Sequence, residues 1–155
     1  DADGLLWMYS GTISSFDGEA WTTLEDEYAE LGGIGTAVTD GRWTLGIDGS
    51  HWVVRRAGEG VQVVRIAGGE VTTTTFGGIG VGPDTAALAG DAAGRLWLAI
   101  ESAGVFSVDV DTGAVIEYGL ADGLPTLELL DIAAHPDGTI WVATAAGVTR
   151  IVPET

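Results

Sequence analysis

Apolar and polar positions alternate in short runs along the whole chain, and the runs fall into four sets with one shared layout. Each set is anchored on a tryptophan with aliphatic neighbours: Trp7 in residues 5–9, Trp52 in 51–55, Trp97 in 95–100 and Trp141 in 139–143. Period-two alternation of this kind predicts strands rather than helices. A tight turn precedes each tryptophan strand at Asp3-Gly4, Asp48-Gly49, Ala93-Gly94 and Asp137-Gly138, so Gly4, Gly49, Gly94 and Gly138 recur where a positive φ is needed. Small apolar strands are predicted ahead of those turns, over residues 42–47, 85–90 and 130–134. A third strand follows at 12–16, 61–66, 105–109 and 148–151. A fourth follows at 20–24, 70–75 and 114–118, behind turns at Asp17-Gly18, Gly68-Gly69 and Asp111-Thr112-Gly113. The tryptophans recur roughly every 45 residues, the period of a propeller blade.

The pattern therefore predicts an all-β chain, a β-propeller segment of about four consecutive four-stranded blades. The blades are expected at residues 1–34, 35–81, 82–127 and 128–155. One indole per blade, buried against the next, is expected to supply much of the interblade packing. No segment reads as a convincing helix; residues 24–31 mix acids with apolar positions but end in Gly32-Gly33 and read as a loop between blades. The first blade lacks an inner strand and the last its outer strand, which predicts a piece of a larger propeller, with a processed or self-associating half-propeller as the alternative. The missing neighbours are then either further blades in cis or a second copy of the chain.

Composition narrows the partners. Hydrophobic residues make up 46% of the chain, enough for a sizeable core. A formal charge of −17 with a pI near 4.1 repels nucleic acid and anionic membrane surfaces. No apolar run reaches the roughly 20 residues of a membrane span, so no direct insertion is expected from this segment. Cysteine is absent, which removes disulfide and thiol chemistry. Lysine is absent too, and with it the phosphate-cradling Gly-rich loop that ends in lysine.

Several clusters offer chemistry, each beside a plainer explanation. Asp109-Val110-Asp111-Thr112-Gly113 begins like a calcium loop, but the supporting acid is missing, since Leu120 stands there; a hairpin turn is the simpler reading. Glu25-Asp26-Glu27 with Glu30 is the densest acidic run and reads as a solvated loop. His135 falls in the inner turn and is expected to serve that turn; His51 is expected to pack between blades or at a rim. The histidines have no third ligand at a telling spacing, and no nucleophile elbow is present. No catalytic residue, metal site or cofactor is predicted.

The stretch LADGLPTLELLDIAAHPDGTIWVATAAGVTRI at 120–151 resembles the two-component regulator propeller repeat. Its parts are the loop Asp122-Gly123-Leu124-Pro125, the turn Asp137-Gly138, the strand Ile140-Trp141-Val142-Ala143-Thr144 and the strand Gly147-Val148-Thr149-Arg150-Ile151. Residues 13–24, ISSFDGEAWTTL, are similar to the outer half of the same repeat, whereas the middle units carry Gly33-Ile34-Gly35 and Gly78-Ile79-Gly80 in place of the DGLP loop. The resemblance implies a bacterial sensory propeller, periplasmic or extracellular, ahead of a signalling domain. Its ligand is then a small molecule, a glycan or a protein, met by loops joining one blade's outer strand to the next blade's inner strand. Tyr28, Glu30, Asp84, Asp122, Leu124 and Pro125 lie there, and loops on a rigid frame are where binding concentrates. The alternative is a propeller enzyme similar in outline to metal-dependent lactonases or streptogramin-type lyases, although the asparagine such sites draw on is absent here.

Overall fold

The structure, a computed structural model, describes residues 4–9, 13–24, 42–79 and 85–153. The chain divides into two compact units, Asp1–Gly41 and Arg42–Thr155. The first holds one antiparallel sheet, β1 (Leu6–Tyr9), β2 (Ile13–Phe16) and β3 (Trp21–Thr23), paired in that order. Its β2–β3 turn closes on Asp17, whose Oδ1 accepts from the Glu19 and Ala20 N–H groups, both at 2.8 Å. Phe16 and Trp21 pair across the strands with stacked rings 5.0 Å apart.

The second unit holds three sheets. The first is β4 (Arg42–Leu45), β5 (His51–Ala57), β6 (Gly60–Ala67) and β7 (Glu70–Gly77); the second is β8 (Thr85–Gly90), β9 (Leu96–Ile100), β10 (Gly104–Val108) and β11 (Val115–Tyr118). The third is β12 (Leu129–Ala134), β13 (Ile140–Thr144) and β14 (Gly147–Ile151). Every sheet is an antiparallel meander, so the chain is all-β and built of propeller-type blades. We call the four sheets blades 1 to 4 in chain order. The expected strands recur with ends shifted by a residue or two. The largest departure is the β5–β6 hairpin, which runs on to a tight turn at Gly58-Glu59 and makes β6 and β7 eight residues each. Blades 3 and 4 share a bulge at matching places, between Thr85 and Ala87 and between Leu129 and Asp131. Gly4, Gly49, Gly94 and Gly138 adopt φ of 77°, 82°, 78° and 89°, as the turn reading requires.

Successive side chains on a strand face opposite sides of the sheet, and this sorts each blade's residues between two cores. Trp52, Val54 and Val63 of blade 2 pack with Leu96, Leu98 and Ile100 of blade 3. Trp97, Ala99 and Val105, on the other face of blade 3, pack with Leu129, Ile132, Ile140 and Val142 of blade 4. Trp52 and Trp97 thus each point at the following blade. The inner strands approach closely beneath Trp52: a Cβ on Gly90 would lie 2.5 Å from the indole nitrogen and 2.8 Å from the Gly46 Cα, so only glycine fits. That approach lets the Ile47 N–H donate to the Gly90 carbonyl at 3.2 Å, and Thr74 adds a hydroxyl bond to the Val110 carbonyl at 2.9 Å.

The expectation that all four indoles are buried holds for two. Trp52 and Trp97 are fully buried, Trp141 is 42% exposed and Trp7 is half-buried. Trp141 looks away from blade 3, and no later blade within Arg42–Thr155 covers it.

Candidate functional site

The second unit presents two rims. One carries the β9–β10 turn, the β13–β14 turn and the connection from β11 to β12; the other carries the turns before each tryptophan strand and the β10–β11 hairpin.

The β11–β12 connection contains the DGLP loop. A single 3-10 turn over Leu120–Asp122 ends at Gly123 in the left-handed region, φ 99°. The Asp122 carboxylate folds back to accept from the Gly119 N–H at 2.8 Å, and the Leu124 N–H donates to the Gly119 carbonyl at 3.3 Å. Neighbouring turns hold the rest: Ser102 N–H donates to the Leu127 carbonyl at 3.0 Å, and Ala145 N–H to the Glu128 carbonyl at 2.9 Å. Leu124 is buried in the core between blades 3 and 4, which anchors the loop from below. Asp122 and Pro125 face solvent beside Leu120, itself 58% exposed. Of the six loop residues named from sequence, Asp122, Leu124 and Pro125 stand in this one loop; Tyr28, Glu30 and Asp84 lie outside the described residues, as does the Glu25-Asp26-Glu27 run.

The opposite rim contains a crevice of about 520 Å³ between blades 3 and 4, lined by Ala93, Arg95, Asp109, Asp137, Gly138, Thr139, Val152 and Pro153. Its origin lies in the repeat. In blade 2 the residue paired across strands with the tryptophan is Arg65, whose guanidinium stacks 5.4 Å over Trp52, pairs with Asp48 at 3.0 Å and reaches Asp111 of blade 3 at 3.7 Å. The corresponding partner of Trp97 is Ser107, too short to span the gap. Arg95 covers that indole instead, 5.6 Å from the ring, and is held by Asp91 at 2.9 Å. The space that Arg65 fills between blades 2 and 3 therefore stays open between blades 3 and 4.

Two carboxylates flank the opening. Partial burial pushes Asp109 upward, but N–H bonds from Thr112 and Asp111 outweigh it, with help from Arg95, and hold the group below the ordinary 3.8. Those bonds belong to the β10–β11 turn, which settles the Asp109-Val110-Asp111-Thr112-Gly113 stretch as a hairpin turn. Asp137 lies well below the usual carboxylate range because the Thr139 hydroxyl and N–H donate to it, at 2.6 and 2.9 Å, with His135 2.9 Å away. Both groups are ionised at neutral pH and already hydrogen-bonded, and the Thr139 hydroxyl spends its proton on Asp137. The crevice offers fixed charge and shape. Among the described residues no cluster of three or more histidine, aspartate or glutamate side chains could hold a metal ion. Sequence reasoning passed over Arg95 and the crevice; the available signal was the Arg65, Ser107, Arg150 series opposite the tryptophans.

His51 is buried and lies against Trp43, ring centroids 6.1 Å apart. Burial pushes its imidazole from the ordinary 6.5 down to about 4. As pH falls, the unfolded chain takes up this proton before the folded one, so the contribution to stability is whole above about 6.5 and is lost by about 4. His51→Gln is expected to remove that component, seen as wild-type and variant urea midpoints that converge with acidification across this window. Parallel midpoints would count against a buried, neutral His51.

No family model matches the chain, and no curated protein matches it significantly in sequence. Solved structures do. The extracellular domain of a proposed hybrid two-component system from B. thetaiotaomicron, BT3049, superposes with a TM-score of 0.58 at 20% identity over 99% of this chain. A second such domain, from BT4673 of the same organism, gives 0.54 at 21% identity over 99% of the chain. The chain spans 20% and 19% of those two proteins' lengths. These likenesses establish the fold.

Proposed function

We propose that the chain is a non-enzymatic recognition segment of a sensory β-propeller, the extracytoplasmic input of a bacterial signalling protein. One observation carries this reading: the crevice between blades 3 and 4 is held in shape by the bonds of Asp137 Oδ1 to Thr139 and of Asp109 Oδ1 to its own turn, and presents two fixed carboxylates beside Arg95. The extracellular sensor domains that share the fold support the placement. No described helix is long and apolar enough to cross a membrane. The strong negative charge favours neutral or cationic ligands over anions, whether small molecule, glycan or protein.

The two rims separate by mutation. A panel of neutral and cationic saccharides and amines, followed by amide chemical shifts, is expected to perturb Arg95, Asp109 and Asp137, and Asp137→Asn is expected to weaken binding about tenfold, the loss of one charged hydrogen bond. Shifts confined to Asp122 and Pro125 would move the site to the DGLP rim. Turnover of any panel member would overturn the non-enzymatic reading.

A further inference from the structure

The junction of blades 2 and 3 holds a guanidinium between two carboxylates, one from each blade. Arg65 pairs with Asp48 of its own blade at 3.0 Å and reaches Asp111 of blade 3 at 3.7 Å. Its head group also lies against Gly94, where a Cβ would come within 2.9 Å of Nη2. Arginine suits this place, since its planar fork serves two acceptors at once and its charge is fixed.

The junction of blades 3 and 4 repeats the carboxylates and omits the cation. Asp109 stands on the blade 3 wall of the crevice and Asp137 on the blade 4 wall. The bonds that fix them, from the Asp111 and Thr112 N–H groups and from Thr139, fall on Oδ1, so Oδ2 of each remains an acceptor. Ser107 takes the register position of Arg65; it is 3% exposed on the Trp97 face, and its hydroxyl makes no hydrogen bond among the described residues. Around Gly138, which holds the place of Gly94, no atom of the described residues comes within 4 Å of an added Cβ. Arg95 leaves the balance unchanged, because Asp91 already neutralises it. The opening therefore traces to a side chain of blade 3, which has a packed neighbour on both faces.

We infer that the crevice binds an alkylguanidinium group, the side-chain chemistry of arginine, seated between Asp109 and Asp137 as Arg65 is seated between Asp48 and Asp111, which rests on the recognition reading above and names its ligand class. At about 520 Å³ the space exceeds a guanidinium alone, and Ala93, Val152 and Pro153 give the alkyl chain an apolar wall. A neutral ligand would leave both carboxylates without a counter-charge.

Amide chemical shifts of the whole chain, titrated with butylguanidinium at low salt into the millimolar range, test this. Shifts are expected at Asp111, Thr112, Gly138 and Thr139. Butylurea, of the same shape without the charge, is expected to bind about tenfold or more weakly. Asp109→Asn and Asp137→Asn are each expected to weaken butylguanidinium binding about tenfold. Ser107→Arg supplies the guanidinium from within and is expected to abolish binding. Arg65→Ser is expected to open the first junction and add a second site, with new shifts at Gly94, an arm that decides the matter even where the buried Ser107→Arg substitution misfolds. A peptide with one internal arginine that binds more tightly than butylguanidinium assigns the group to a polypeptide, and equal binding assigns it to a small guanidine. Equal binding of butylurea, shifts spread over every acidic turn, or an Arg65→Ser chain without a second site overturns the inference. Neutral saccharides that move the crevice amides where butylguanidinium does not overturn it while leaving the recognition reading in place, whereas a crevice that answers to no probe removes both.

Discussion

Replacing Trp97 by alanine is expected to lower the unfolding free energy by about 3–5 kcal/mol, the range for truncating a fully buried aromatic. Trp97 is fully buried between blades 3 and 4, in a cluster drawn from both, with Tyr118 stacked 5.5 Å away and Arg95 over its other surroundings at 5.6 Å. The blades on either side are held by hydrogen-bonded backbone, so the space cannot collapse cheaply. Trp141→Ala provides the control, being the same residue at the same place in the repeat but 42% exposed; its cost in the monomer is expected to stay near 1 kcal/mol, in proportion to the smaller area lost. Urea titrations of the two variants beside wild type, at a concentration where the chain is monomeric, measure the difference. Equal costs would mean that the repeat position alone, and not burial by a following blade, sets the energetics.

Much of the architecture was legible because it depends on local rules repeated at a fixed period. Alternation marked the strands, the Gly4, Gly49, Gly94 and Gly138 turns marked their ends, and the tryptophans marked the face that meets the next blade. The period could not show which copy of that face is covered, since coverage depends on a neighbour and not on the residue; Trp141 is as well formed a blade tryptophan as Trp97 and still faces solvent. The DGLP loop was legible as a connection, but period alone did not show that Leu124 turns inward while Asp122 caps its own turn. The crevice was hidden for a further reason. It arises from the contrast between Arg65 and Ser107, positions that face each other's equivalents only once the register is known. Copies of a repeat share a frame through what recurs, and a site in one of them comes from what differs.

The blade 3 turn shows this from the stability side and yields the second large effect. Where the other turns read Asp-Gly, this one reads Ala93-Gly94, and the carboxylate has moved to Asp91. Asp91 is 1% exposed and accepts at 2.9 Å from four donors: the Ala93 and Arg95 N–H groups, the Arg95 Nε and the Trp97 Nε1. Asp91→Ala removes every acceptor at once, stranding an indole N–H in the core and leaving a guanidinium that is about one-fifth exposed without its counter-charge. Breaking a buried charged pair costs about 3–5 kcal/mol, and partial solvation of Arg95 brings the expected loss to about 2–4 kcal/mol. Asp91→Asn keeps an acceptor of the same shape and is expected to cost less. Because Asp91 and Trp97 share a bond, the double variant with Trp97→Ala should lose less than the two single losses together, a coupling that a double-mutant cycle reads directly. Blade 2 sets the natural limit on this argument: Gly46 stands at the Asp91 position, and the Trp52 indole nitrogen is buried with no acceptor. That blade anchors its turn instead through Asp48, which accepts from Ser50 and Arg65. Strict additivity in the Asp91 and Trp97 cycle would show that the carboxylate serves its turn and arginine, as Asp48 does, and that the indole contributes through packing only.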